Sequence, residues 1–221
     1  MATDIRIGGL TRLSSCDWPG ELVATVFCQG CSWRCPYCHN ADLQPATAGS
    51  IAWSDVLAFL KARVGLLDGV VFSGGEPLLQ SALADAIGEA RALGFKIGLH
   101  TGGSVLSRFT DILPQCDWVG FDVKAPFADY PALTGSPSSG ADARLALQTL
   151  LARGTAHEIR TTVHPRLIPG EMLIRLSQDL AALGIRQWIL QPFRSFPGAT
   201  LQPENYEPDV LVQLAVPVIW R

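Results

Sequence analysis

The sequence predicts an α/β fold with a parallel sheet covered by helices. Three segments share one pattern, in which an apolar-striped helix ends at a glycine and four or five strand residues follow; the glycines are Gly94, Gly154 and Gly184. Glycine is the residue that favours this C-terminal position of a helix. The strand segments are nearly continuously apolar, as in parallel strands buried on both faces. The chain holds about six such units, short of the eight that close a barrel.

The strands are short apolar runs bounded by turn-forming or polar residues. They span residues 22–27, 69–72, 95–99, 118–121, 158–163 and 187–190, and the last of these is the final strand. Ahead of them, residues 5–15 are interpreted as a hairpin or lead-in with Gly8-Gly9 as its turn.

The helices are predicted from apolar residues at helical spacing. Ser54 is expected to cap the first helix. The apolar stripes are Val56, Leu57, Leu60 and Val64, then Leu79, Leu83, Ile87 and Ala90, and finally Leu173, Leu176, Leu180 and Leu183. A further helix is expected over 141–153. Residues 131–140, rich in Pro, Ser and Gly, are predicted to form a surface loop.

Composition and charge exclude several classes of protein. The 221 residues are 48% hydrophobic and 17% charged, which suits one well-buried core. A net charge of −3 without a basic run argues against nucleic-acid binding. No signal-peptide pattern begins the chain and no apolar run approaches a membrane span, so a cytoplasmic protein with reduced cysteines and no membrane partner is expected.

Three cysteines in C-x3-C-x2-C spacing, Cys31, Cys35 and Cys38, follow the first strand and a Gly30 turn. Thiolates that converge in such a loop suit an iron–sulfur cluster or a zinc ion. Three sulfurs would leave one iron of a four-iron cluster open, and an open metal position is where a small molecule can bind and react.

A fourth cysteine, Cys28, leaves two other interpretations open: a four-thiolate zinc site and a closed cluster. Zinc sites usually bring two cysteine pairs together across a longer spacer. Strand alternation would also put Cys28 on a face with Val26 and Ala24, away from the loop. The pattern therefore favours the open three-cysteine cluster. Cys16 and Cys116 are expected to be buried small hydrophobic residues.

In an architecture of this kind, chemistry gathers where the strands end. The second strand ends in Gly74-Gly75-Glu76-Pro77. The glycines would let the backbone approach a ligand, and Glu76 would accept from an ammonium group. Taken alone, the motif is more often a turn that begins a helix, with Pro77 at its first position.

Other polar residues at strand ends have equally plain interpretations. Asp122 and Lys124 could be an ion pair at a barrel rim, and His100 a hydrogen-bonded core histidine. Arg160 and Arg194 could make bidentate hydrogen bonds to a cofactor carboxylate, or could form ion pairs on the surface.

The cysteine motif, with an aromatic residue before its last cysteine, resembles the signature of the radical S-adenosylmethionine enzymes. His39-Asn40, and Asp17-Trp-Pro-Gly20 upstream, more narrowly resemble the glycyl-radical-enzyme activases, closest to the activating proteins of anaerobic ribonucleoside-triphosphate reductase. The similarity runs from about Ile7 to Phe193. It implies one core domain, with a lead-in over 1–21, a partial (β/α)6 TIM-type barrel over 22–193 and a tail over 194–221.

The resemblance also implies cofactors and roles. Cys31, Cys35 and Cys38 would hold a [4Fe-4S] cluster whose open iron binds S-adenosylmethionine. The remaining predicted contacts with that cofactor are Gly74, Gly75 and Glu76 at its amino group, Asp122 and Lys124 at the ribose or carboxylate and the site of hydrogen transfer, Tyr37 near the adenine, and His100, Thr101, Arg160 and Arg194. Tyr37 and Trp33 could instead only shield the cluster from solvent.

Two departures from the family pattern weaken parts of this assignment. The family commonly has Thr-Asn-Gly after an acidic residue, whereas here His100 replaces the acid and Gly102 the asparagine. The resemblance therefore does not imply for His100 or Gly102 the cation or ribose contact that the family's side chains make there. Some activases also carry a histidine where Arg194 stands.

The implied reaction is reductive cleavage of S-adenosylmethionine, followed by removal of a hydrogen from a backbone glycine of a partner enzyme, expected to be anaerobic ribonucleotide reductase. The sequence has no cysteine pattern for a second cluster, so a flavodoxin or ferredoxin is expected to donate the electron. The alternatives are a radical enzyme with a small-molecule or peptide substrate, and a non-catalytic metal-binding or redox carrier protein.

Overall fold

The computed structural model describes residues 4–193 and 206–221. One eight-stranded sheet runs through it, with the strands side by side in chain order. The strands are β1 Ile7–Ser14, β2 Val23–Cys28, β3 Gly69–Gly74, β4 Lys96–Thr101, β5 Trp118–Asp122, β6 Ala156–Val163, β7 Trp188–Pro192 and β8 Val218–Trp220. β1 pairs antiparallel with β2, and every later pair is parallel.

Helices connect the parallel strands. They are α1 Trp53–Lys61, α2 Leu83–Ala92, α3 Leu106–Ile112, α4 Tyr130–Thr134, α5 Ser139–Arg153, α6 Gly170–Ala182 and α7 Pro208–Leu211. Their apolar faces and the helix-facing sides of the strands form one large buried core. No helix in the described ranges is long and apolar enough to span a membrane.

The predicted fold class is confirmed. Parallel strands in chain order, with helices between them, give the winding of a TIM-type barrel, and between β1 and β8 the described ladder stays open. The expected glycine ends are also present: Gly154 has a φ of 74° and caps α5, and Gly94 and Gly184, with φ of 92° and 81°, directly follow the C-cap residues of α2 and α6.

The predicted Gly8-Gly9 turn is wrong, because both glycines lie inside β1. A Cβ on Gly8 would lie 2.3 Å from Leu43 Cδ2 and 2.6 Å from Gln29 Oε1. Glycine is therefore required here because the chain after the cysteine loop packs against this strand.

Two local predictions in the helical regions also fail. Ser54 does not cap α1: Ala52 occupies the N-cap without a side-chain hydrogen bond, and buried Trp53 begins the helix. Residues 131–140 are not a loop throughout, since they contain most of α4 and the start of α5. Thr134 and Ser139 are buried and their hydroxyls lie 2.7 Å apart, so packing orders this polar sequence.

The chain beyond 193 contains more structure than the predicted tail. Residues 206–221 contribute α7 and β8, and β8 pairs with β7, so 187–190 is not the final strand. β8 has only three residues, too few to show a strand pattern, and it is held by backbone pairing.

Candidate functional site

The carboxyl ends of the parallel strands surround one cavity of about 260 Å³. Every predicted site residue that the structure describes lines it: Cys31, Cys35, Cys38, Tyr37, Gly74, Gly75, Glu76, His100, Thr101, Asp122, Lys124 and Arg160. Arg194 lies outside the described residues. The structure therefore brings the predicted residues together, and their individual roles stay predictions.

The cysteine loop rises from a paired stem. The N–H of Gly30 donates to Leu43 at 2.7 Å, and that of Cys31 donates to Gln44 at 3.0 Å. On the other side, the N–H of Glu76 donates to the carbonyl of Gly30 at 2.9 Å. The loop is thus fixed at its base by the segments that follow β2 and β3.

The three thiols of the loop fit a cluster with three cysteine ligands. Cys31, Cys35 and Cys38 are all half-buried and line the cavity. Within 4–193 and 206–221, no three His, Cys, Asp or Glu side chains converge on a single metal ion. Burial raises the pKa of Cys31 to about 12, so binding iron there must displace a proton.

Cys28 does not line this cavity. Its side chain is fully buried in the hydrophobic core, in the same cluster as Ala24 and Val26. This is the face that strand alternation predicts. Cys116 is also buried, whereas Cys16 is exposed, so the expectation that Cys16 is buried is wrong.

The Gly74-Gly75-Glu76-Pro77 segment serves the protein's own packing. A Cβ on Gly75 would lie 2.3 Å from the carbonyl oxygen of Gly30, so this glycine is needed where the two loops touch. Glu76 is the N-cap of a 3-10 turn over Pro77–Leu79, with Pro77 at its start. The plain interpretation of the motif therefore holds, whatever ligand contact it also makes.

Glu76 is a buried carboxylate with three donors. It accepts from the N–H of Leu78 at 3.1 Å, from the hydroxyl of Thr101 at 2.7 Å and from the N–H of Gly102 at 3.2 Å. Burial raises its pKa, and these hydrogen bonds oppose the rise. The side chain joins the ends of β3 and β4.

Asp122, Lys124 and Arg160 form a charged cluster. Asp122 Oδ1 lies 2.9 Å from both Nε and Nη2 of Arg160, and Asp122 Oδ2 lies 3.1 Å from Lys124 Nζ. Burial alone would raise the pKa of Asp122, but the two cations outweigh it and hold that pKa well below its usual range. Burial would likewise lower the pKa of Lys124, and Asp122 raises it instead. Asp122 and Lys124 therefore stay charged.

Arg160 is not a surface residue, since it is only 7% exposed. Its guanidinium lies over the ring of Trp118, with Cζ 6.0 Å from the ring centroid. A Cβ on Gly120 would lie 2.6 Å from Cζ, so the absence of a side chain at Gly120 makes the space that Arg160 occupies.

His100 connects four parts of the chain. Nδ1 lies 3.1 Å from the Ser73 hydroxyl, and Nε2 lies 2.7 Å from the carbonyl oxygen of Asp17 and 3.1 Å from Arg160 Nη1. Burial and the charge of Arg160 lower the pKa of His100 to about 4. The ring is therefore neutral at pH 7.

Two aromatic rings hold the cysteine loop against the site. The hydroxyl of Tyr37 donates to the carbonyl of Lys124 at 3.0 Å, and the hydroxyl of Tyr130 accepts from the N–H of Lys124 at 2.8 Å. Trp33 meets Tyr130 edge to face, with centroids 5.7 Å apart. Tyr37 and Trp33 are both buried and position the loop as well as cover it.

Several residues that line the cavity were not among the predicted cofactor or metal contacts. They are Asp17, Phe27, Trp33, His39, Asn40, Gln44, Ser73, Gly102, Thr162 and Gln191. Thr162 could have been found by strand alternation from Arg160. Gln191 follows the last predicted strand, where a strand-end residue is expected.

Comparison with known proteins agrees with this geometry. Residues 25–176 match the profile of the Radical SAM superfamily. A protein of Methanocaldococcus jannaschii named as a glycyl-radical enzyme activating enzyme is 28% identical over 175 residues, which cover 75% of this chain and 71% of that protein. A pyruvate formate-lyase-activating enzyme of Clostridium pasteurianum is 33% identical over 144 residues, which cover 62% of this chain and 60% of the relative.

Among solved structures, Streptococcus suis SuiB bound to S-adenosylmethionine superposes with a TM-score of 0.62 at 14% identity. The match covers 87% of this chain and 48% of SuiB, so this chain spans about half the length of that protein. At this identity the likeness concerns the fold alone.

Proposed function

The chain belongs to the radical SAM superfamily, and from that membership we propose that it is an activating enzyme that generates a glycyl radical on a partner enzyme. The observation that carries the proposal is that the three cysteines of one loop open onto the same cavity as Glu76 and Lys124. Two relatives named as activating enzymes support the same activity.

Cys31, Cys35 and Cys38 are the residues that would hold a [4Fe-4S] cluster. The cluster would supply the electron that cleaves S-adenosylmethionine to methionine and a 5′-deoxyadenosyl radical, and transfer of a hydrogen atom from a glycine Cα to that radical would leave 5′-deoxyadenosine and a glycyl radical.

The charged residues of the cavity would orient the cofactor. Glu76 accepts three hydrogen bonds and, as a carboxylate with about four lone-pair positions, keeps room for one donor such as an ammonium group. Lys124 carries a positive charge that a carboxylate or ribose oxygen could share with Asp122. Arg160 neutralises Asp122 from the other side, so this charged arrangement is in place before the cofactor arrives.

The partner that we propose is a glycyl-radical enzyme, and more narrowly an anaerobic ribonucleotide reductase. The narrower assignment rests on the His39-Asn40 and Asp17-Trp-Pro-Gly20 resemblance. The electron donor that we propose is a flavodoxin or ferredoxin, because the described cysteines outside the loop are scattered and supply no second set of ligands.

Anaerobic reconstitution with iron and sulfide, followed by dithionite and S-adenosylmethionine, tests the first step. We expect 5′-deoxyadenosine and methionine in equal amounts. If neither forms, the alternative of a metal-binding or redox carrier protein is favoured.

Electron paramagnetic resonance on a co-expressed glycyl-radical enzyme tests the second step. A glycine-centred signal that requires this protein is the expected result. Cofactor cleavage without that signal on any glycyl-radical enzyme would favour the other alternative, a small-molecule or peptide substrate.

A further inference from the structure

The two faces of the sheet pack against different neighbours. The helix-facing side belongs to the main core, whereas Trp18, Val23, Val71 and Trp118 form a second, separate apolar cluster. Val23 and Trp118 are the first residues of β2 and β5, at the amino ends of the parallel strands. The cavity with the cysteine loop lies at the carboxyl ends of the same strands. The second cluster therefore fills the interior of the partial barrel at the end opposite to the cavity.

Trp18 differs from the other members of this cluster because it lies on a turn. It belongs to the Asp17-Trp-Pro-Gly20 segment between β1 and β2, and it is nevertheless only 6% exposed. Two glycines of the sheet make room for its ring. A Cβ on Gly98 would lie 2.8 Å from Cε3, and a Cβ on Gly69 would lie 3.3 Å from Cζ3. The turn is thus folded so that its tryptophan enters the barrel.

Trp118 connects Trp18 with the charged part of the cavity. The rings of Trp18 and Trp118 are stacked, with centroids 5.6 Å apart and 17° between their planes. Trp118 also meets the ring of His100 edge to face at 5.6 Å and carries the guanidinium of Arg160. Strand alternation puts Trp118 on the same face of β5 as Asp122. A displacement of Trp18 would therefore reach Arg160 and His100 through a single ring.

We propose that Trp18 is a positioning residue for the cofactor site; this inference rests on the proposed function. By filling the amino end of the barrel interior, Trp18 holds Trp118 against Arg160 and keeps water from the ion pair of Arg160 with Asp122. Charged side chains orient a ligand well only when packing holds them in place. Ring stacking and a cation–π contact hold Arg160 without competing for its hydrogen bonds to Asp122.

The first measurement needs no cofactor. Nuclear magnetic resonance of histidine-labelled protein follows the His100 ring between pH 8 and 5, and His100→Gln assigns its signal. In the natural sequence the ring should stay neutral over this range, because its pKa is about 4. Trp18→Leu should raise that pKa toward the ordinary value near 6.5, since water entry and a displaced Arg160 both act in this direction. Trp53→Leu is the matched control: Trp53 is also buried, at 4% exposed, but lies in the main core. Its His100 signal should match that of the natural sequence.

The second measurement is the formation of 5′-deoxyadenosine by the reconstituted protein. Trp18→Leu should raise the KM for S-adenosylmethionine about threefold to thirtyfold, the range of one cation–π contact, and should change kcat less. Trp18→Phe retains a ring and should recover most of this loss. Trp53→Leu should leave the KM unchanged even if it lowers stability.

A further variant keeps the inference testable if Trp18→Leu does not fold. Gly98→Ala retains Trp18 and displaces it, because the added Cβ has no room beside Cε3, and it should raise the pKa of His100 in the same direction. Absence of 5′-deoxyadenosine with the natural sequence would count against the proposed function, and the His100 titration would still decide the inference. A His100 ring that stays neutral down to pH 5 in these variants, or an equal rise of the KM in Trp53→Leu, would overturn it.

Discussion

The ring of Trp33 lies directly over Gly102, so close that a Cβ on Gly102 would lie 2.3 Å from Cζ3. Trp33 is in the cysteine loop and Gly102 follows β4, so this contact fixes the loop to the far side of the cavity. The family commonly has asparagine where Gly102 stands. The tryptophan and the glycine therefore fit each other as a pair.

Replacing Gly102 by alanine should displace Trp33 and destabilise the protein. Forcing a side chain into a packed contact typically costs about 1–3 kcal/mol. Chemical unfolding measures the loss, and a shift in tryptophan emission reports the ring. Gly88→Ala is the control, because Gly88 is exposed within α2 and an added Cβ meets nothing within 4 Å. That control should be stabilised by about 0.5–1 kcal/mol. An equal fall in the free energy of unfolding of both variants would contradict the prediction that Trp33 packs on Gly102.

Serine substitutions should distinguish the cysteines that bind iron from those that belong to the hydrophobic core. Serine at position 31, 35 or 38 should abolish most iron binding after anaerobic reconstitution, measured as iron and sulfide per chain. Cys28→Ser should retain iron but lose stability by roughly 1–3 kcal/mol, because it buries a hydroxyl in an apolar cluster. Cys116→Ser, also buried, is the matched control. Loss of iron from Cys28→Ser but not from Cys116→Ser would show instead that Cys28 is a ligand.

The sequence was sufficient for β2 to β5 and β7, which are mostly apolar and have a clear end, and for β6, which is rich in β-branched residues. It was insufficient for β8, with three residues, and for α4, with five, since neither is long enough to show a period. Gly8-Gly9 was assigned to a turn because glycine pairs usually mark one, and only the distant contacts of Gly8 with Leu43 and Gln29 explain why both glycines lie in a strand.

For the site, the sequence identified residues but not the contacts between them. Strand ends identified Glu76, Asp122 and Arg160, because the fold brings all such ends to one edge. The sequence could not show that Arg160 is buried against Asp122, since this depends on the register between β5 and β6 and on the space above Gly120.

Gln80 should be essential for the base of the cysteine loop. It is 1% exposed, its Oε1 accepts from the N–H of Arg6 at 3.1 Å, and its Nε2 donates to the carbonyl of Gln29 at 2.8 Å. Gln80→Leu leaves the N–H of Arg6 and the carbonyl of Gln29 without these partners. The free energy of unfolding should fall by about 1–3 kcal/mol for each group. Hydrogen exchange should become faster at Gly30 and Cys31. Gln187→Leu serves as the exposed control, and unchanged exchange at Gly30 would contradict the prediction.

His100 should make stability fall with acid. Its folded pKa of about 4 lies below the ordinary value near 6.5, because burial and Arg160 disfavour the charged ring. Between these two pKa values the unfolded chain therefore binds a proton that the folded chain does not bind. The stability associated with the neutral ring is fully present above about pH 6.5 and is lost as the pH falls toward 4. Asp122 and the carbonyl of Asp17 face the same ring and limit the shift. His100→Gln, which cannot titrate, should show a smaller difference between unfolding free energies at pH 7.5 and 5.0 than the natural sequence, by roughly 1–2 kcal/mol. An equal difference in both proteins would mean that other groups cause the acid sensitivity.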